Sequence, residues 1–416
     1  MAIADGVITA VGPADEVLAA NPGTPVDDLG DVILAPGLVD AHCHTEWSLA
    51  GGVSLGPGFG RWLSGFLRVM GDIDPARHAA ASELAVLTAL CSGTTTICDA
   101  GPLGAGATAA APAGIRAFVC HEVFGDDPAA ADRVAERVLE LREAAGPRVQ
   151  VGVSPHAPYS VGPRLWSAVL EHPVFQTGPI CTHIAESDDE VQALRDGSGP
   201  LPEALAVVGF SPASWPGDAA DSPVVRLHAA GALRGGMVAA HGVLLDDDDA
   251  ALLAGAGVAV AHCPISNARL GCGAMPLQRL RDAGVTVGLG TDSPASAGGF
   301  DLRAEARAAE VLHGSMAELP APHELLELAT HGSARALGMS HQIGCLAVGY
   351  RADMVAVEPW AGAAHIGDTA DAFLRGESRV RHVWVDGEAV VTDGEPCHVD
   401  RERVLARARE CRRALG

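Results

Sequence analysis

The chain predicts an α/β fold, a (β/α)8 barrel carrying a small β-sandwich domain built from both termini. Three observations carry this. Short runs rich in Val, Ile, Leu and Ala recur eight times between segments of helical spacing. Groups of His, Asp and Glu fall at the ends of those runs, where a barrel gathers its chemistry. Two strand-rich pieces flank the alternating middle.

Residues 1–35 read as short strands and turns, with Gly6-Val7-Ile8-Thr9-Ala10-Val11-Gly12 alternating around glycines. A second strand-rich stretch, 344–395, contains Asp353-Met354-Val355-Ala356-Val357 and Val380-Arg381-His382-Val383-Trp384. These two pieces form the predicted sandwich, 36–343 forms the barrel, and 396–416 reads as a C-terminal helix. The eight predicted barrel strands are 36–43, 94–99, 115–120, 149–154, 179–184, 236–241, 257–263 and 285–290. Segments 76–91, 129–145 and 300–313 carry Ala, Leu, Glu and Arg at helical spacing. The Pro/Gly-rich stretch 197–223 has no periodicity and is expected to be a long loop over the mouth. The run Asp246 to Asp249 opens an amphipathic helix, so it reads as a solvated helix start.

Composition narrows the function. With 416 residues and 48% hydrophobic content the chain is globular. Its net charge of −24 opposes binding to nucleic acid or anionic lipid and leaves a small molecule as the expected partner. No apolar stretch is long enough to span a bilayer and no basic n-region marks a signal peptide. Ten cysteines contain no C-x-x-C pair, and Cys98, Cys120 and Cys181 sit in apolar runs, which suits buried reduced thiols and a cytoplasmic setting. Lysine is absent from the sequence. A carboxylated lysine bridging two metals is therefore excluded, and one ion is expected.

His42 and His44, two apart on a strand, project to one side and can chelate one ion. With His183 and Asp292 downstream, three imidazoles and a carboxylate suit Zn²⁺, with Fe²⁺ or Mn²⁺ as alternatives. Such an ion activates water. Glu186, three residues past His183, is the candidate general acid/base, and His241 is placed to stabilise developing charge. Asp292 doubles as acceptor of the water proton. His156, held between prolines in Ser154-Pro155-His156-Ala157-Pro158, is a candidate substrate contact. His78, His172, His228, His313, His331 and His382 lie elsewhere and read as structural or exposed.

The segments PGLVDAHCH, GTTTICDAG, SPHAPYS, THIAES, AHGVLL, HCPISNARLGCG, GLGTDSPAS and GCLAVGYRADMVAV resemble the amidohydrolase superfamily, in its cytosine deaminase-like (ATZ/TRZ) branch. The resemblance implies a mononuclear zinc deaminase or dechlorinase acting on a cyclic amidine carbon. It makes His42, His44, His183 and Asp292 ligands, Glu186 the proton shuttle, His241 its partner, and His156 and Ser296 substrate contacts. The Glu that precedes Trp in the E-W-L segment of adenosine-type deaminases, and holds the ribose diol there, is Arg61 in Gly60-Arg61-Trp62-Leu63. His44-Thr45-Glu46-Trp47-Ser48 is similar to the H-L-E-L-S of aminodeoxyfutalosine deaminases, implying substrate roles for Glu46, Trp47 and Arg61, a menaquinone-pathway substrate, and a homodimer by analogy. Relatives generally carry a further strand before Ala2-Ile3-Ala4-Asp5-Gly6, so either Met1 is a misassigned start or that strand is missing and leaves an exposed sheet edge. An s-triazine hydrolase of the same branch is the enzymatic alternative. A catalytically dead binding barrel is the alternative of another class, against which the intact ligand set argues.

Overall fold

The structure is a computed structural model, described over residues 1–52, 58–70, 73–314, 320–360 and 367–414. Its barrel strands are β1 (Leu38–Cys43), β2 (Thr94–Gly101), β3 (Arg116–Val123), β4 (Val149–Pro155), β5 (Ile180–Ile184), β6 (Met237–His241), β7 (Ala259–His262) and β8 (Val287–Leu289). Each pairs in parallel with the next, and each overlaps its predicted span. Burial on both faces explains why these strands read as nearly continuous apolar runs.

Backbone bonds beyond β8 close the ring. The Asp292 N–H donates to the His42 carbonyl at 3.0 Å, and the His44 N–H donates to the Asp292 carbonyl at 3.0 Å. Gly290 permits this approach, since a Cβ there would stand 2.7 Å from the His42 carbonyl oxygen.

The predicted helices are present as Pro75–Cys91, Ala129–Ala144 and Leu302–Gly314. The acidic run is a helix start, with Asp246 and Asp249 forming a reciprocal capping box. Two helices escaped the pattern. Ala14–Ala20 lies within the stretch expected to hold only strands and turns, and it buries no residue, so no apolar stripe betrays it. Pro200–Ala206 interrupts the expected long loop, and at seven residues it is too short to show a period.

Both termini build the second unit. Ile33–Pro36 pairs antiparallel with Met354–Glu358, which continues through Arg379–Val385, Glu388–Thr392 and Glu395–Pro396. The hairpin of Ala2–Ala4 and Val7–Ala10 packs against this sheet through Ile8, which meets Ala352, Met354, Leu34 and Trp384. Arg116, at the start of β3, joins the units by bonding Asp353 and, at 2.7 Å, Asp386. Arg148 and Arg351 converge on the same Asp386 carboxylate. The C-terminal helix Arg401–Arg413 packs through Ala408 beside Leu49 and Ala81. No helix among the described residues is long and apolar enough to cross a membrane.

Candidate metal and catalytic centre

The carboxyl ends of the strands bring the predicted groups together. His42 is the second-last residue of β1, and His44 follows the strand in extended backbone; the two rings stand with centroids 4.7 Å apart. His183 on β5 stands 4.8 Å from His42, ring centre to ring centre. Ligand atoms of His42, His44 and Asp292 lie within 4.8 Å of one another, as do those of His42, His183 and His241, and of His44, Glu122 and His183.

Hydrogen bonding settles which nitrogens face the centre. The His44 Nδ1 bonds the Ala100 carbonyl at 2.8 Å, and the His183 Nδ1 bonds the His156 carbonyl at 2.7 Å. Each Nδ1 therefore carries the proton, and each Nε2 presents a lone pair. Both ring nitrogens of His42 are buried without a hydrogen-bond partner. Burial and the neighbouring imidazoles push His42 and His183 well below the usual histidine range, so both are neutral. The Asp292 Oδ2 accepts from Ser266 at 2.5 Å and Ser296 at 2.6 Å, while its Oδ1 lies 3.4 Å from the His44 Nε2. Converging lone pairs, an anion and an orphaned buried imidazole fit a divalent cation, whose charge would satisfy all of them.

Glu186 follows His183 on a bent strand end. Ala185 and His241 both adopt left-handed backbone, at φ 51° and 74°, as does Asp292 at 53°. The Glu190 carboxylate holds the first bend, accepting from the N–H groups of Ala185 at 3.1 Å and Glu186 at 2.8 Å. Burial, then Asp292 and Glu190, push the Glu186 carboxyl well above the usual carboxylate range, which favours its protonated form. The His241 Nε2 stands 3.6 Å from the Glu186 Oε1, and its Nδ1 bonds the Asn267 Oδ1 at 2.9 Å.

Above this floor opens a cavity of about 360 Å³. Trp47, Phe59, Trp62, Phe66, Phe124 and Phe210 wall it, together with Leu205 and Val208 from the Pro/Gly-rich stretch, which does lie over the mouth. His156 reaches the cavity, its Nδ1 2.6 Å from the Ser160 hydroxyl, and burial with His44 and His241 lowers it to about 3.

Three predicted substrate contacts stand elsewhere. Glu46 is 1% exposed and lies off the cavity, its Oε1 accepting from the N–H groups of Ala105 at 2.9 Å and Leu103 at 3.2 Å. Arg61 is exposed on the helix Phe59–Met70 and does not line the cavity. Ser296 orients Asp292 from behind. Sequence reasoning missed Glu122, Tyr159, Trp62 and Glu190. Of these Glu122 had a signal, because it ends an apolar run as the other site residues do.

Fold and site together define a hydrolase with a metal-capable centre in a (β/α)8 barrel. The chain belongs to the amidohydrolase family, whose pattern matches residues 33–390. Residues 1–23 match an imidazolonepropionase-like composite domain of bacteria. The chain is 32% identical to the 5-methylthioadenosine/S-adenosylhomocysteine deaminase of Syntrophobacter fumaroxidans, over 100% of its own length and 93% of the relative's. It is 29% identical to the 5'-deoxyadenosine deaminase of Methanopyrus kandleri, over 99% and 93%. A crystal structure of an adenosine deaminase from Xanthomonas campestris with bound zinc superposes at a TM-score of 0.85 and 27% identity, covering 99% of this chain and 92% of that one.

Proposed function

We propose that this enzyme is a zinc-dependent hydrolytic deaminase of 6-aminopurine nucleosides with an uncharged 5' substituent. The observation that carries the reading is the buried Glu186 carboxyl, 3.6 Å from His241 and beside the ligand cluster, at the foot of an aromatic-walled cavity. Relatives that deaminate adenosine derivatives support it.

His42, His44, His183 and Asp292 would hold the ion, with His241 within ligand range. When bound, a divalent ion supplies the Lewis acidity that makes water a nucleophile near neutral pH. The chain's own groups do the rest. The aromatic walls stack the purine and exclude bulk water. Glu186 gives its proton to the ring nitrogen next to the amino-bearing carbon, making that carbon electrophilic as water adds. Asp292 takes the water proton, and His241, its Nδ1 anchored on Asn267, steadies the oxygen as charge develops. Return of a proton to the exocyclic nitrogen breaks the carbon–nitrogen bond and releases ammonia, leaving a ring carbonyl.

The side-chain preference comes from what lines the cavity. Aminodeoxyfutalosine, the substrate first suggested by the H-T-E-W-S segment, carries a carboxylate that needs a cation. Among the described lining residues no arginine appears, and Arg61 points to solvent. An uncharged 5' group suits the walls better.

Ammonia release by the zinc-loaded protein across 5'-deoxyadenosine, methylthioadenosine, adenosine, aminodeoxyfutalosine and a chlorotriazine tests the reading. Turnover concentrated on the uncharged 5'-modified adenosines is expected. Preference for aminodeoxyfutalosine would overturn the side-chain assignment, and chloride release without ammonia would overturn deamination.

A further inference from the structure

One layer below the centre lies a cluster that the deaminase reading does not use. Cys98 on β2, Cys120 on β3 and Cys181 on β5 are all buried, and their sulfurs lie within 4.8 Å of one another. They point into the barrel beside Val39, Ala41, Phe118 and Val238, where bulky branched side chains usually fill such a layer. Each cysteine stands two residues before a group in the site above: Ala100, whose carbonyl fixes His44, then Glu122, then His183. Two residues of strand are about 7 Å, which is the depth of the cluster beneath the floor.

We propose that these three thiols form a second cation site, selective for soft thiophilic ions such as Cu⁺, Cd²⁺ and Hg²⁺. A metal–sulfur bond of about 2.3 Å or slightly more spaces three sulfurs roughly 4 Å apart, within the spread seen here. The Ser154 hydroxyl on β4, the strand between β3 and β5, is buried without a hydrogen-bond partner. Binding replaces three S–H bonds with three metal–sulfur bonds and releases three protons to buffer, with no change of oxidation state. Ligand softness separates the two sites. The centre above offers nitrogen and oxygen to zinc-like ions, and the cluster offers only sulfur.

The site is tested without reference to deamination. Zinc-loaded protein is incubated with Cd²⁺ under reducing conditions, and separately expressed in cadmium-supplemented medium. The sulfur-to-cadmium charge-transfer absorption and the cadmium X-ray absorption edge are then recorded. One tightly held cadmium with three sulfur neighbours is expected, with zinc retained. The signal disappears in Cys120→Ala and persists in Cys397→Ser, whose thiol is exposed. Should Cys120→Ala fail to fold, the sulfur count in the unaltered protein still decides. Cadmium surrounded only by oxygen and nitrogen after both treatments, or a three-sulfur signal surviving Cys120→Ala, would overturn the proposal.

Discussion

The Nε2 atoms of His44 and His183 stand 3.0 Å apart, although the Nδ1 of each is already committed to a backbone carbonyl. Two lone pairs at that distance repel unless a proton or a cation lies between them. A divalent cation held between them would take up both lone pairs at once.

Removing the proposed shuttle without removing the proposed ligands separates chemistry from metal binding. Glu186→Gln keeps the shape of the side chain and is expected to retain one zinc per chain by elemental analysis. Its kcat should fall by roughly 10²–10⁴, the usual range for a lost general acid/base. Unchanged turnover would remove Glu186 from the mechanism.

Ser296 is expected to act on the metal through Asp292. Ser296→Ala deletes one of two hydroxyls on the Asp292 Oδ2 and frees the carboxylate to rotate. A drop of roughly 10–100-fold in zinc affinity is expected by chelator competition. A raised KM with unchanged zinc affinity would instead restore Ser296 as a direct substrate contact.

Much of this was legible because metal chemistry restricts residue types and a barrel restricts where they fall. His42, His44, His183, Asp292, Glu186 and His241 all end apolar runs, and the structure gathers all six. The cavity wall was not legible in the same way. Trp62, Phe66 and Phe59 share one face of a helix, and a sequence cannot tell an aromatic stripe that meets substrate from one that meets core. Glu46 misled for a related reason. A carboxylate next to a ligand histidine suggests a substrate contact, whereas its actual partners, the N–H groups of Leu103 and Ala105, arrive from a distant loop.

Glu46 is therefore expected to matter for stability. Glu46→Ala leaves the buried Ala105 N–H and the part-buried Leu103 N–H without an acceptor and should cost about 1–3 kcal/mol in denaturant unfolding. Glu46→Gln keeps an acceptor and should cost less. A large KM change in Glu46→Gln with unaltered stability would return the residue to the substrate.

Trp62 is expected to report on binding. Its ring stacks on Phe66 with centroids 5.3 Å apart, and its indole N–H is buried and unpaired at the cavity wall. Trp62→Ala should raise KM about tenfold, equivalent to about 1.4 kcal/mol, with a smaller change in kcat. Steady-state kinetics on the best substrate of the panel give the answer.

Asp386 carries a pH-dependent part of stability. Burial alone would push its carboxyl up, but Arg116, Arg148 and Arg351 outweigh this and hold it at about 2. A depressed carboxylate stabilises the fold above its unfolded pKa, about 3.9, and loses that contribution as pH falls through about 2. Asp386→Asn should therefore melt at a lower temperature than the unaltered protein at pH 7, with the gap narrowing below about pH 4. A gap independent of pH would assign the effect to packing alone.

Asp292 offers its carboxylate to the centre while its backbone stitches the last strand to the first. One position thus serves two ends, one of reactivity and one of architecture. Because this residue holds left-handed backbone at φ 53°, directed evolution that varies it for activity would also be sampling how firmly the ring is shut.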